Sequence, residues 1–151
     1  MNIAILTGGT SSEREVALKS AETVESVSRD RHACTVFDFP SDLDRFLAAR
    51  ASFRVAIPVF HGKGGEDGTV QGFLRTLDIP FIFSDVEAHA IGMDKLRTKI
   101  LVARACVQTP SSRELGLNEH VIFERPVVVK PSDAGSSVGV TIAMGMQRHC
   151  P

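Results

Sequence analysis

The sequence has almost no net charge, few cysteines and no long apolar run, and each absence removes a class of function. Its 151 residues carry 17 basic and 18 acidic side chains, a formal charge of −1 with histidine neutral. Nucleic-acid binding usually leaves a basic footprint, so any phosphate contact here has to come from individual lysines. The three cysteines, Cys34, Cys106 and Cys150, are odd in number and lack CxxC spacing. That suits reduced thiols in a cytosolic protein better than a disulfide framework or a zinc site. The longest apolar stretches, such as Val55 to Phe60, are far too short to cross a bilayer. At the start, Asn2-Ile3-Ala4-Ile5-Leu6 lacks a charged n-region and runs at once into Thr7-Gly8-Gly9, so no secretory signal is read there.

Familiar phosphate and metal signatures are missing too. Reading G-x-G-x-x-G from Gly62 requires glycine where Asp67 stands, and reading it from Gly8 requires glycine where Thr10 stands. A P-loop ending in Gly62-Lys63 requires glycine where Ile57 stands. His32, His61, His89, His120 and His149 fall singly, without H-x-x-x-H metal spacing. These failures disfavour an unrelated nucleotide-binding regulator.

What is present is an ordinary globular composition, 43% hydrophobic and 23% charged, with enough apolar mass for a real core. Ile3 to Leu6 reads as a strand buried on both faces, followed by a Gly8-Gly9 turn. Ser12-Glu13-Arg14-Glu15 has the S-x-x-E form of a capping box and opens a helix to about Ser28, with Val16, Ala17, Ser20, Val24 and Val27 on one face. Ala33 to Phe39 reads as a second strand, Ser41 caps a short helix through Ala49, and Arg54 to Phe60 reads as a third strand. After the glycine-dense stretch His61 to Gly68 come a helix over Thr69 to Leu77 and a short fourth strand, Pro80 to Phe83. The alternation predicts a doubly wound parallel α/β sheet, Rossmann-like, whose ligands collect at the carboxyl ends of the strands. The texture then changes. Asp94 to Cys106 is a basic amphipathic helix, and Pro126 to Lys130 with Val138 to Ala143 forms a hairpin around a Gly/Ser loop. Two domains are expected, 1–92 and an incomplete second one, 93–151.

Three segments concentrate chemistry, each just after a strand. Glu13 sits in a helix's opening turn, where a carboxylate favours the helix dipole and is also placed to meet the ammonium of a small substrate. His61-Gly62-Lys63-Gly64-Gly65-Glu66-Asp67-Gly68 is either a surface turn with a solvated histidine or a loop whose amides approach a ligand. Lys130 precedes Gly135-Ser136-Ser137-Val138-Gly139, which is either a serine-rich hairpin turn or an ammonium and two hydroxyls beside exposed amides suited to a polyphosphate.

Taken together, these segments resemble the D-alanine–D-alanine ligases of the ATP-grasp type. Leu6 to Val16 resembles their opening strand and substrate turn, and His61 to Gly72 their second signature. Met93-Asp94-Lys95-Leu96-Arg97-Thr98-Lys99 is similar to the entry into their central domain, and Val129 to Ser132 with Gly135 to Val140 to their ATP loop. Asp85, Glu87 and His89 depart from a stretch usually small and apolar, and Asp133-Ala134 from a pair often written Arg-Glu.

The resemblance implies a pre-ATP-grasp α/β domain followed by the start of an ATP-grasp central domain. It implies a reaction in which ATP phosphorylates one D-alanine and a second attacks the acylphosphate, serving peptidoglycan synthesis in the bacterial cytoplasm. By position, Glu13 anchors the first ammonium, and His61 with Gly62 lies beside that substrate's carboxylate. Ser136 and Ser137 close over the reacting groups, and Lys95 and Lys130 contact ATP phosphates. It also implies Mg2+ (or Mn2+) in the complete enzyme, bound by residues outside this chain, and a homodimer. No nucleic-acid or membrane partner is expected. Because the resemblance covers only the amino-terminal half, the chain reads as truncated and inactive alone. The other reading is a non-catalytic D-alanine-binding or dimerisation module. Whether the acceptor is D-alanine, D-lactate or D-serine stays open.

Overall fold

The computed structural model describes residues 1–116, 119 and 121–145. Cys150, His149, His120 and most of the stretch after Met144 lie outside the described residues. Among those described, no helix is long and apolar enough to cross a membrane.

Three parallel strands form the main sheet in the order β2-β1-β3: β1 is Asn2–Gly8, β2 Ala33–Phe39 and β3 Val55–Pro58. β1 is central, and Ile3 to Leu6 are at most 4% exposed. A strand covered on both faces must be apolar at every position, which is why that run does not alternate. Ile3 and Ile5 join Ala21 and Ile57 on one face, while Ala4 and Leu6 join Phe37, Phe46, Ala56, Val70 and Leu74 on the other. Helix α1 (Arg14–Ser28) covers the first face, and α2 (Leu43–Ala49) with α3 (Thr69–Thr76) covers the second. The chain moves one way from β1 to β2 and back across β1 to β3. Right-handed crossovers then place successive helices on opposite faces.

The two faces use different side chains. Small alanines, Ala17 and Ala21, one turn apart, bring α1 close to the aliphatic face. The opposite face is aromatic, with Phe37 edge-on to Phe46 at 5.3 Å and to Phe53 at 5.5 Å between centroids. Fully buried residues such as Phe46 and Leu74 each contribute roughly 1.5–3 kcal/mol through desolvation.

Several local expectations change. Ser12 does not form the capping box: it is exposed, Glu13 is the N-cap, and no side chain caps α1. Instead Ser11 Oγ accepts from Glu13 N at 3.2 Å. Val16 and Val27 are 53% and 73% exposed, because the buried stripe follows Ala17, Ala21 and Val24. α2 begins at Leu43 after Asp42 rather than on a Ser41 cap, since Asp42 Oδ2 takes the Asp38 amide at 2.9 Å. Pro80 to Phe83 yields a single parallel bridge, Phe81 to Ala56, with Phe83 in the left-handed region at φ +89°… a geometry that stops the strand. Asp85, Glu87 and His89 belong to a helix start the sequence reading passed over. Asp85 Oδ1 accepts from Val86 N at 2.7 Å and caps α4 (Val86–Met93).

Beyond α4, Asp94 caps α5 (Lys95–Arg104) by accepting from the Leu96 and Arg97 amides. The hairpin is present as β4 (Val127–Val129) antiparallel to β5 (Thr141–Ala143). It is shorter than expected, and β4 is exposed.

Candidate functional site

β1 and β3 end side by side, where the order of connection reverses; an open α/β sheet parts its loops at such a point and leaves a crevice. Gly8 (φ +91°) lets β1 turn away there: a Cβ on it falls 2.2 Å from Asp38 Oδ1 and 2.7 Å from the Phe39 carbonyl oxygen. The chain then reaches Glu13 at the mouth of α1. Ser11 ties this turn to the glycine loop, its Oγ donating to the His61 carbonyl at 2.7 Å.

Glu13 is 9% exposed, and its Oε2 lies 2.8 Å from the position a Cβ would take on Gly62. Gly62 is therefore required twice, by its φ of +75° and by the carboxylate against it. Its amide donates to Glu66 Oε2 at 2.6 Å, which curls the loop back on itself. A Cβ on Gly135 falls 3.8 Å from both Glu13 Oε2 and Glu66 Oε2. Two carboxylates from the sheet domain thus face the loop after β4. Among the described residues the Glu13 carboxylate has no hydrogen-bonding or ion-pair partner, and neither of its oxygens is among the fully buried unpaired polar atoms, so its charged end still reaches solvent.

Lys95 joins the same loop. Its amide donates to the Ser132 carbonyl at 2.9 Å and its Nζ to the Ala134 carbonyl, one residue from Gly135. Lys63 Nζ lies 3.3 Å from Asp133 Oδ2, a second link between the glycine loop and this segment. Ser136 and Ser137 are exposed and consecutive in the left-handed region, at φ +47° and +62°. Such a conformation costs roughly 1–2 kcal/mol per non-glycine residue, so the turn stores strain next to Gly135.

Of the residues singled out by sequence, Glu13, Gly62 and the Gly135 turn meet directly, with Lys95 one residue removed. His61 points elsewhere: its Nε2 is 3.1 Å from Ser20 Oγ on α1. Lys130 is exposed at the base of the hairpin turn, and no contact among the described residues joins it to Glu13. Sequence reasoning missed the roles of Ser11 and Ser20, which carry no signature of their own, and of Glu66, which stood only as a member of the glycine loop.

The Asp67 carboxyl sits below its usual range. Burial pushes it up, but hydrogen bonds from the Gly64 amide at 2.8 Å and from Thr69, whose amide lies at 3.0 Å, outweigh burial and hold the loop's second half closed. Among the described residues no three histidine, cysteine or acidic side chains cluster as a metal site.

The chain is similar in sequence and in fold to known proteins. The family described as D-ala D-ala ligase N-terminus matches residues 40–84. The D-alanine–D-alanine ligase of Coprothermobacter proteolyticus is 37% identical over 99% of this chain and 52% of its own length. That of Alcanivorax borkumensis is 41% identical over 93% of this chain and 45% of its own. A crystal structure of the Bacillus anthracis ligase superposes with a TM-score of 0.82 at 33% identity, covering 97% of this chain and 50% of that one. The same ligase complexed with ATP superposes at 0.78, with 30% identity, covering 95% of this chain and 50% of that one. The chain spans about half the length of the relatives it matches. In sequence and in fold, it is similar to the amino-terminal half of the D-alanine–D-alanine ligases.

Proposed function

We propose that this chain supplies the D-alanine-binding half of an ATP-dependent D-alanine–D-alanine ligase acting in peptidoglycan synthesis in the bacterial cytoplasm. The observation that carries the reading is Glu13. A largely buried glutamate whose unpaired carboxylate opens at a strand switch point toward a glycine turn suits an ammonium group. A small amino acid brings one. In this reading the first D-alanine sets its ammonium on Glu13, with Gly62 and His61 at the substrate's carboxylate end. His61 must leave Ser20 to reach it.

Ser136 and Ser137 close over the reacting groups from the strained turn. Lys95 and Lys130 face ATP phosphates, where preorganised cations stabilise charge that grows during phosphoryl transfer. ATP supplies the phosphoryl group that activates one D-alanine carboxylate, and the amine of a second D-alanine displaces it. Mg2+ would be held by groups outside this chain and would neutralise charge on the transferring phosphoryl group. The domain division at 92/93 and a homodimer belong to the same proposal.

Isothermal calorimetry of D-alanine and of ATP-magnesium against the purified chain, beside a phosphate-release assay with both present, tests the reading. D-alanine binding that Glu13→Gln weakens at least about tenfold, on the scale of losing a charge-assisted hydrogen bond, is the expected result. Unchanged binding in that variant would sink the assignment of Glu13. Binding without D-alanine-dependent phosphate release is expected of the 151-residue chain. Measurable turnover would show that it needs no further metal-binding groups.

A further inference from the structure

Behind the glycine loop four polar groups meet. Gln71, on α3 and 1% exposed, donates from Nε2 to the Gly65 carbonyl at 3.0 Å. The same nitrogen lies 3.3 Å from His89 Nε2, on α4. His89 Nδ1 in turn lies 3.3 Å from the Glu66 carbonyl.

Two carbonyls decide where the protons go. The Gly65 oxygen only accepts, so the Gln71 amide must present its NH2 group there. That NH2 only donates, so His89 Nε2 must offer a lone pair. The imidazole is then neutral with its proton on Nδ1, which donates to the Glu66 carbonyl. Turning the Gln71 amide over sets its oxygen against the Gly65 carbonyl, and Gln71 Oε1 remains buried without a partner as it stands.

The strut ends on the residue that shapes the site. While His89 holds the Glu66 main chain, the Glu66 side chain takes the Gly62 amide at 2.6 Å and stands with Glu13 about Gly135. Among the described residues His89 is the one side chain of α4 that hydrogen-bonds this loop.

We propose that His89 is a positioning residue for the D-alanine site: neutral and protonated on Nδ1, it fixes Glu66 and, through Glu66, the Gly62 amide beside Glu13. The inference rests on the reading that Glu13 receives D-alanine, and its test separates the two. Long-range 1H–15N correlation on the purified chain reads the His89 tautomer, and the Gly62 amide resonance reads the bond to Glu66. Both are recorded in wild type, His89→Ala and His89→Asn, with D-alanine titrated into each and thermal unfolding measured alongside.

The wild-type ring is expected as the Nδ1–H tautomer. His89→Ala moves the Gly62 amide upfield and weakens D-alanine binding about tenfold. His89→Asn, which keeps one donor and one acceptor, restores both. An Nε2–H ring, or a Gly62 resonance and D-alanine titration unmoved in His89→Ala, overturns the proposal. Equal losses of stability and binding in both variants overturn it too, in favour of plain packing. If wild type takes up no D-alanine, the substrate reading falls, and the tautomer and Gly62 resonance still decide the strut.

Discussion

Val127-Val128-Val129 is as apolar as Ile3 to Leu6, yet Val128 is 55% exposed while Ile5 is fully buried. Both runs form strands, because β-branched residues fit a pleated backbone in either place. What differs is the cover. β1 has a strand on each side and helices on both faces, whereas among the described residues β4 has β5 alone. Strand formation is a local property, and burial belongs to the assembly around the strand.

Truncation of the core sets the widest gap between these regions. Phe46→Ala removes a fully buried ring that contacts Phe37, Phe39, Phe53 and Phe73, and should cost about 3–5 kcal/mol in urea unfolding. Ile142→Ala on β5, where the side chain is 65% exposed, should stay within about 0.5 kcal/mol. A cost at Ile142 approaching that at Phe46 would mean that the hairpin face is covered in solution.

Glycine substitutions sharpen the contrast on a smaller scale. Gly8 and Gly64 both have φ near +90°, so alanine at either strains the backbone by roughly 1–2 kcal/mol. At Gly64 nothing lies within 4 Å of the added Cβ, whereas at Gly8 it collides with Asp38 and the Phe39 carbonyl. Gly8→Ala should therefore cost about 2 kcal/mol more than Gly64→Ala, since backbone atoms cannot move aside as a side chain can. Equal costs would show that the β1–β2 turn yields easily.

Much of the sheet domain was legible in the sequence because its signals are local and repeated. β2 falls at its expected bounds, and α1 ends where its periodicity predicted. The misses came where neighbours decide. Val16 and Val27 looked like core, but the face against the sheet is carried by Ala17, Ala21 and Val24, and a fourth strand needs more partners than one bridge at Ala56. α4 escaped notice because its cap, Asp85, and its one polar link inward, His89, looked like interruptions of an apolar loop. In the candidate site, Glu13 and the glycine loop stood out through residue type and density. The pairing of Glu13 with Gly62, and of both with Gly135, joins segments far apart in sequence and had no periodic signature to announce it.

Acid should loosen the glycine loop before the sheet. The Asp67 pKa in the fold lies below its ordinary 3.8, so its contribution is complete above that value and disappears as pH falls through the lowered one. The Gly64 and Thr69 amide resonances should therefore shift together below the ordinary Asp range while those of β1 hold. In Asp67→Asn that acid step should vanish. A step surviving in the variant would assign it to a different carboxyl group.

The smallest effect concerns the ion pair between the two regions, Lys63 with Asp133. The side chains are 76% and 60% exposed and 3.3 Å apart, so water screens them and their coupling should not exceed about 1 kcal/mol. A double-mutant cycle with Lys63→Met and Asp133→Asn, read by urea unfolding at low and high salt, measures it. Coupling near zero would leave the Gly135 turn held beside Glu13 by the Lys95 bonds to Ser132 and Ala134, which salt does not weaken to the same degree. Coupling well above that bound, fading with salt, would make the ion pair the principal tie between the sheet domain and the hairpin loop.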